Sequence, residues 1–149
     1  MSHSRTAASS ILATLISAAL TACCVAAASA VRAQAPGAAS PPTSTDTFDA
    51  QVARGQDEYL NACAACHSSD LSGGEIGPPL LGRLFNAKWK DKSAKELYEL
   101  TRDTMPQGAP NTLTTAAYID IVALMIKSNE YKVSAPVTEE NAGGVVLAP

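Results

Sequence analysis

The chain has 149 residues, 46% hydrophobic and 5% aromatic, with 11 basic and 14 acidic side chains for a net charge of −3. That length suits one domain, the apolar fraction is ordinary for a globular protein, and so few aromatics leave a light core. An acidic balance argues against a nucleic-acid partner, which requires a basic face.

Arg5 and Arg32 are the only charged side chains before Asp46. Between them, Thr6 to Val31 is uncharged and rich in Ala, Leu and Ile, and Ala33-Gln34-Ala35 follows as a small-x-small site. A basic start, an apolar run and such a site predict a secretory signal peptide over residues 1–35, and with it a periplasmic protein. Two alternatives stay open. The run is long enough to act as an uncleaved anchor, and Leu20-Thr21-Ala22-Cys23 resembles a lipidation signal at Cys23. Only these two would attach the chain to a membrane. Removal of residues 1–35 leaves nine basic and fourteen acidic side chains, a net charge of −5. It also leaves two cysteines, Cys63 and Cys66, and one histidine, His67.

Residues 36–47 are rich in Pro, Ser and Thr without an apolar period and predict a disordered linker. From Asp49 to about Ala62 the pattern is helical, with Val52, Gly55, Tyr59 and Cys63 on one face. Ser68 to Gly82 holds four glycines and two prolines and predicts a loop. A second helix spans Ser93 to Thr104, with Ser93 as N-cap, Glu96 at the capping-box position and Leu97 and Leu100 on its apolar side. Pro106, Gly108 and Pro110 end it. Thr114 or Thr115 starts a third helix running to about Asn129, with Tyr118, Ile121, Val122 and Met125 on one face. Residues 132–149 have no period and predict a loose C-terminal tail. No segment alternates like a strand, so the expected class is all-α with long loops. A structureless loop of about fifteen residues in so small a domain needs something to hold it.

Cys63-Ala64-Ala65-Cys66-His67 is a C-x-x-C-H sequence, the pattern of c-type haem attachment. Each thiol adds across one vinyl group of the macrocycle to form a thioether, and the adjacent histidine then lies under the iron. The competing readings are weaker. A disulfide suits an exported protein, but a thioredoxin-like C-x-x-C wants a βαβ context. Zinc wants about four ligands, and three Cys/His remain after export. One covalent haem c is therefore expected, with His67 as an axial iron ligand.

The second axial position has no other histidine to fill it in the exported chain. Methionine, lysine, water or a vacant site remain. Met125 sits mid-helix among Ile121, Val122 and Leu124 and reads as core. Met105 sits where the second helix stops, ahead of Pro106, which stiffens the loop and offers no backbone N–H. Met105 is thus the expected ligand. Met/His ligation raises the reduction potential and leaves no iron site for a substrate.

Together these residues resemble the class I (mitochondrial-type) cytochrome c family over roughly Phe48 to Asn129. Gly55, Tyr59 and Cys63 match the family's first helix, and Gly77-Pro78-Pro79-Leu80-Leu81-Gly82 matches its Gly-Pro-x-Leu-x-Gly segment. The resemblance implies a cytochrome domain over residues 48–131, with three to five helices and long loops wrapped around one haem. It implies close approach of the first and last helices at Gly55, facing Ile121 and Leu124. It also implies that the Pro78 carbonyl accepts a hydrogen bond from His67, and allows Trp89 a contact to a haem propionate. A narrower likeness, through Trp89, Ser93, Leu97, Thr104-Met105-Pro106, Pro110, Leu113 and Tyr118 to Val122, is to small cytochromes and cytochrome domains that serve periplasmic quinoprotein dehydrogenases.

Three functions fit. The first is a periplasmic single-electron carrier between redox proteins, for example a quinoprotein dehydrogenase and a terminal oxidase. The second is a haem subunit bound to a dehydrogenase, with the C-terminal tail as a docking strap. The third is a five-coordinate haem enzyme or gas binder, which requires Met105 to be unligated. Lys88, Lys90, Lys92 and Lys95 would steer an acidic partner, although Asp91 and Glu96 interleave with them.

Overall fold

The computed structural model describes residues 46–148. The signal peptide expected over residues 1–35, Cys23 and the part of the expected linker up to Thr45 lie outside the described residues. Five helices follow one another: α1 (Phe48–Ala62), α2 (Ala64–His67), α3 (Gly82–Trp89), α4 (Ala94–Thr104) and α5 (Thr115–Ser128). Among the described residues there is no strand, only an isolated antiparallel bridge between Ser93 and Val146. The all-α class expected from the sequence is the class observed. No helix among the described residues is long and apolar enough to cross a membrane.

Asp46 and Thr47, assigned to the linker from the sequence, both bond to α1. Thr47 caps α1 by accepting from the Ala50 N–H at 3.1 Å. Asp46 pairs with Arg54 at 2.7 Å. The buried face of α1 is Phe48, Gln51, Gly55 and Tyr59. The spacing of three and four is the expected one, but it includes a glutamine that hydrophobic patterning passes over.

α5 is the centre of the fold. Thr114 caps it, and ten consecutive residues from Ala117 to Ile126 are buried. A helix enclosed on every side must have neighbours all round. α1 crosses it so closely that a Cβ built on Gly55 would lie 2.0 Å from the Asp120 carbonyl oxygen. The Arg54 guanidinium straps the crossing, donating from Nε to Asp120 at 2.8 Å while its other nitrogens hold Asp46. This satisfies the buried Asp120 carboxylate, which alone would carry a large desolvation penalty.

α4 starts with the full capping box the sequence predicts, Ser93 accepting from the Glu96 N–H and Glu96 accepting from the Ser93 N–H. α3 is an addition. Only Phe85 and Trp89 are buried on it, one i,i+4 pair, too short a pattern to announce a helix.

Residues 132–148 are not a loose tail. Val137, Ala142 and Leu147 are fully buried. The Gln51 side-chain amide, itself fully buried, donates to the Val137 carbonyl and accepts from its N–H, both at 2.8 Å. Ala94 donates to Val145 at 2.8 Å, Leu147 to Lys92 at 2.8 Å, and Asp91 to Leu147 at 3.0 Å. The segment shows no period because it buries single side chains from an irregular backbone, which leaves no helical or strand pattern in the sequence. Gln51→Leu keeps the volume but leaves two buried backbone groups of Val137 unpaired. It is expected to destabilise the protein by about 2–4 kcal/mol and to make the tail sensitive to protease. Equal urea midpoints for variant and wild type would contradict this role.

Candidate functional site

A cavity of about 490 Å³ opens between α2, the 77–80 loop, α3, the end of α4 and α5. That volume is in the range of a small-molecule or cofactor site. All six site residues expected from the sequence line it: Cys63, Cys66, His67, Pro78, Trp89 and Met105.

α1 ends at Cys63, whose φ of −124° leaves the helical region, and the single turn α2 restarts the chain at Ala64. This break brings Cys63 and Cys66 to one wall, both half-buried and not joined to each other by a disulfide. Burial, and secondarily Cys66 beside it, pushes the Cys63 thiol up to about 11. Before attachment it is therefore a neutral thiol at physiological pH.

His67 is buried, and its Nδ1 lies 2.8 Å from the Pro78 carbonyl oxygen. A carbonyl only accepts, so Nδ1 carries a proton, and of the two neutral tautomers the bond selects the one whose lone pair is on Nε2. This contact is the one the family resemblance implies for Pro78. Gly77 makes it possible: a Cβ there would meet the Cys66 carbonyl oxygen at 2.7 Å and His67 Nδ1 at 2.8 Å. Tyr59 holds the turn after the histidine by donating to the Ser68 carbonyl at 2.6 Å. Burial pushes its phenol up to about 12, so it remains a donor.

Met105 is the C-cap of α4, in extended conformation at φ −127° and ψ 152°, and is half-buried. Met125 also reaches the cavity from α5, which its mid-helix position did not announce. Met125 belongs to the continuous hydrophobic core, whereas Met105 lies outside it.

Trp89 is buried beside Phe85, ring centroids 6.1 Å apart. Its ring has the Lys88 ammonium at 5.2 Å and the Lys92 ammonium at 6.0 Å from its centroid. The four lysines do not act as one free cluster. Lys90, Lys92 and Lys95 are within 4 Å of Asp91, Glu96 and Glu99 respectively.

Two site-forming residues escaped the sequence reading. Asn129 donates to the Leu80 carbonyl at 2.9 Å and to Met125 at 2.8 Å, and accepts from the Gly82 N–H at 2.9 Å. It pins the loop that carries Pro78. Tyr118 donates to the Met105 carbonyl at 2.7 Å. Both were visible only as a helix end and a core face, because their partners are distant in sequence or cross a loop.

The residues present fit a haem. An apolar slot meets a pair of thiols at attachment spacing, an imidazole nitrogen with a free lone pair, and a thioether. Among the described residues no three His, Cys, Asp or Glu side chains gather as a bare-metal site.

Residues 50–125 match the family model described as "Cytochrome C oxidase, cbb3-type, subunit III". Among solved structures, the chain is similar to a chain of the crystal structure of the sulfane dehydrogenase SoxCD from Paracoccus pantotrophus, at 26% identity and a TM-score of 0.52. The similarity covers 64% of this chain and 52% of that one, so the chain spans about half the length of the chain it matches. No curated protein matches it. With a matched segment of half its length and a cavity that fits the cofactor, the chain belongs to the family so described: it is a class I c-type cytochrome with covalently bound haem c.

Proposed function

We propose that the chain is a periplasmic monohaem carrier that passes single electrons between redox proteins, with Cys63 and Cys66 as thioether anchors and His67 and Met105 as axial ligands. The observation that carries this reading is the His67–Pro78 contact of 2.8 Å, which leaves Nε2 as a lone-pair donor into the cavity that Met105 also lines. When bound, the haem supplies a one-electron iron couple. The protein's part is to hold the imidazole at fixed orientation and raised basicity, to offer a soft sulfur that favours the ferrous state, and to exclude water with an apolar lining. Trp89, buried at the cavity wall, would offer its indole N–H to a propionate. Filling both axial positions leaves electron transfer as the chemistry and removes a site for substrate. Export rests on the signal-like residues 1–35.

A second reading is favoured by the likeness to a sulfane dehydrogenase chain: a haem subunit bound to a periplasmic dehydrogenase. The 132–148 segment is packed on its own domain, so such a subunit would have to dock through another surface. Purification of the native chain from a periplasmic fraction tests both. A monomer with one covalent haem that cycles reversibly through one electron is the expected result. Stable co-purification with a dehydrogenase selects the second reading, and a chain retained in the cytoplasm without covalent haem would overturn both.

A further inference from the structure

We infer that Tyr118 is a positioning residue for the axial methionine, holding the Met105 peptide so that its sulfur stays aimed into the cavity. The inference rests on Met105 being the ligand.

Met105 stands where α4 ends. Its N–H donates back to the Thr101 carbonyl at 2.9 Å, which ties it to the last turn of α4. Pro106 follows and has no N–H to continue the helix. The extended ψ of 152° turns the Met105 carbonyl out of the helical direction, and the Tyr118 hydroxyl donates to it at 2.7 Å. Both backbone polar groups of this one residue are thus occupied, one by α4 and one by α5. An extended residue between a helix end and a proline gains its fixed orientation from that pair of bonds.

The donor is itself rigid. Tyr118 is fully buried, and it shares a face of α5 with Ile121 and Met125, both of which line the cavity. α5 is locked against α1 at Gly55 and by Arg54 on Asp120. The position of Met105 is in this way referred to the most enclosed helix of the fold and not to the loop that follows it. Other groups near Met105 do not supply this: Thr101 and Thr104 direct their hydroxyls to α4 carbonyls four residues back, Leu97 and Leu100.

A methionine held less firmly leaves the iron more often, and an added ligand competes better. The test is the affinity of imidazole for the ferric protein in four forms: wild type, Tyr118→Phe, Met105→Ala and the double variant. Phenylalanine keeps the buried ring and removes only the hydroxyl. Losing one buried hydrogen bond to the ligand's backbone is expected to tighten apparent imidazole binding about fivefold in the Met105 background. In the Met105→Ala background there is no methionine to displace, so the same substitution is expected to change nothing. That coupling is what a merely structural tyrosine would not produce. Equal changes in both backgrounds, or none in either, would overturn the inference while leaving Met105 as ligand. Imidazole binding no tighter in Met105→Ala than in wild type would instead remove Met105 from its role, and the inference with it. A measurement on unaltered protein guards against misfolding of the variant. In the reduced, diamagnetic protein the Tyr118 hydroxyl proton is expected to exchange slowly and to lie within nuclear Overhauser reach of Met105; a freely exchanging hydroxyl would contradict the bond.

Discussion

Met105→Ala is expected to lower the reduction potential by on the order of 0.1 V, a fraction of the roughly 0.8 V that axial ligation commands across haem proteins. The thioether stabilises the ferrous state, and its loss admits water, which favours the ferric charge. Met125→Leu is the necessary comparison, because both methionines line the cavity. Met125 is only 2% exposed, packed in the hydrophobic core on the central helix. Its replacement by leucine conserves volume and is expected to leave the potential close to that of wild type. Redox titration of the two variants decides between them. A potential that falls in Met125→Leu and stays in Met105→Ala would transfer the axial role to α5.

Gly55→Ala is expected to destabilise the protein by about 3 kcal/mol or more, the upper range for overpacking a core contact. Helix propensity alone predicts the opposite, since alanine is favoured over glycine in a helix interior by about 1 kcal/mol. Steric contact decides the sign. The added Cβ would sit 2.0 Å from the Asp120 carbonyl oxygen and 2.5 Å from its carbon, backbone atoms of a buried helix that have nowhere to move. α1 would have to shift outward, and Cys63 at its end would shift with it. Gly144→Ala is the control: nothing lies within 4 Å of its Cβ position, and a change within about 0.5 kcal/mol is expected. Thermal denaturation of the two variants measures both, and equal stability of Gly55→Ala and wild type would refute the tight crossing.

The parts of the fold that were legible are those written in neighbouring residues. Ser93 and Glu96 announce the start of α4 because a capping box is complete within four residues. Cys63 to His67 announce the attachment site because the two thiols and the imidazole must be adjacent for the chemistry. The Pro78 contact required a family resemblance, since nothing local ties residue 78 to residue 67. What escaped depends on distance or irregularity. Gln51 is buried because Val137, 86 positions away, takes both ends of its amide. α3 has a single buried pair. The C-terminal segment buries Val137, Ala142 and Leu147 at unequal intervals, and no periodicity can report that. Tyr118 reads as an ordinary core tyrosine until the Met105 carbonyl is seen to meet it.

The central claim is that both axial positions are filled by the chain's own side chains, which makes the site a relay for electrons. The absorption spectrum of the purified wild-type protein, reduced and then exposed to carbon monoxide, tests it most directly. An unchanged six-coordinate spectrum is the predicted result. Rapid formation of a carbonyl adduct would show a vacant or weakly held position and would contradict the account.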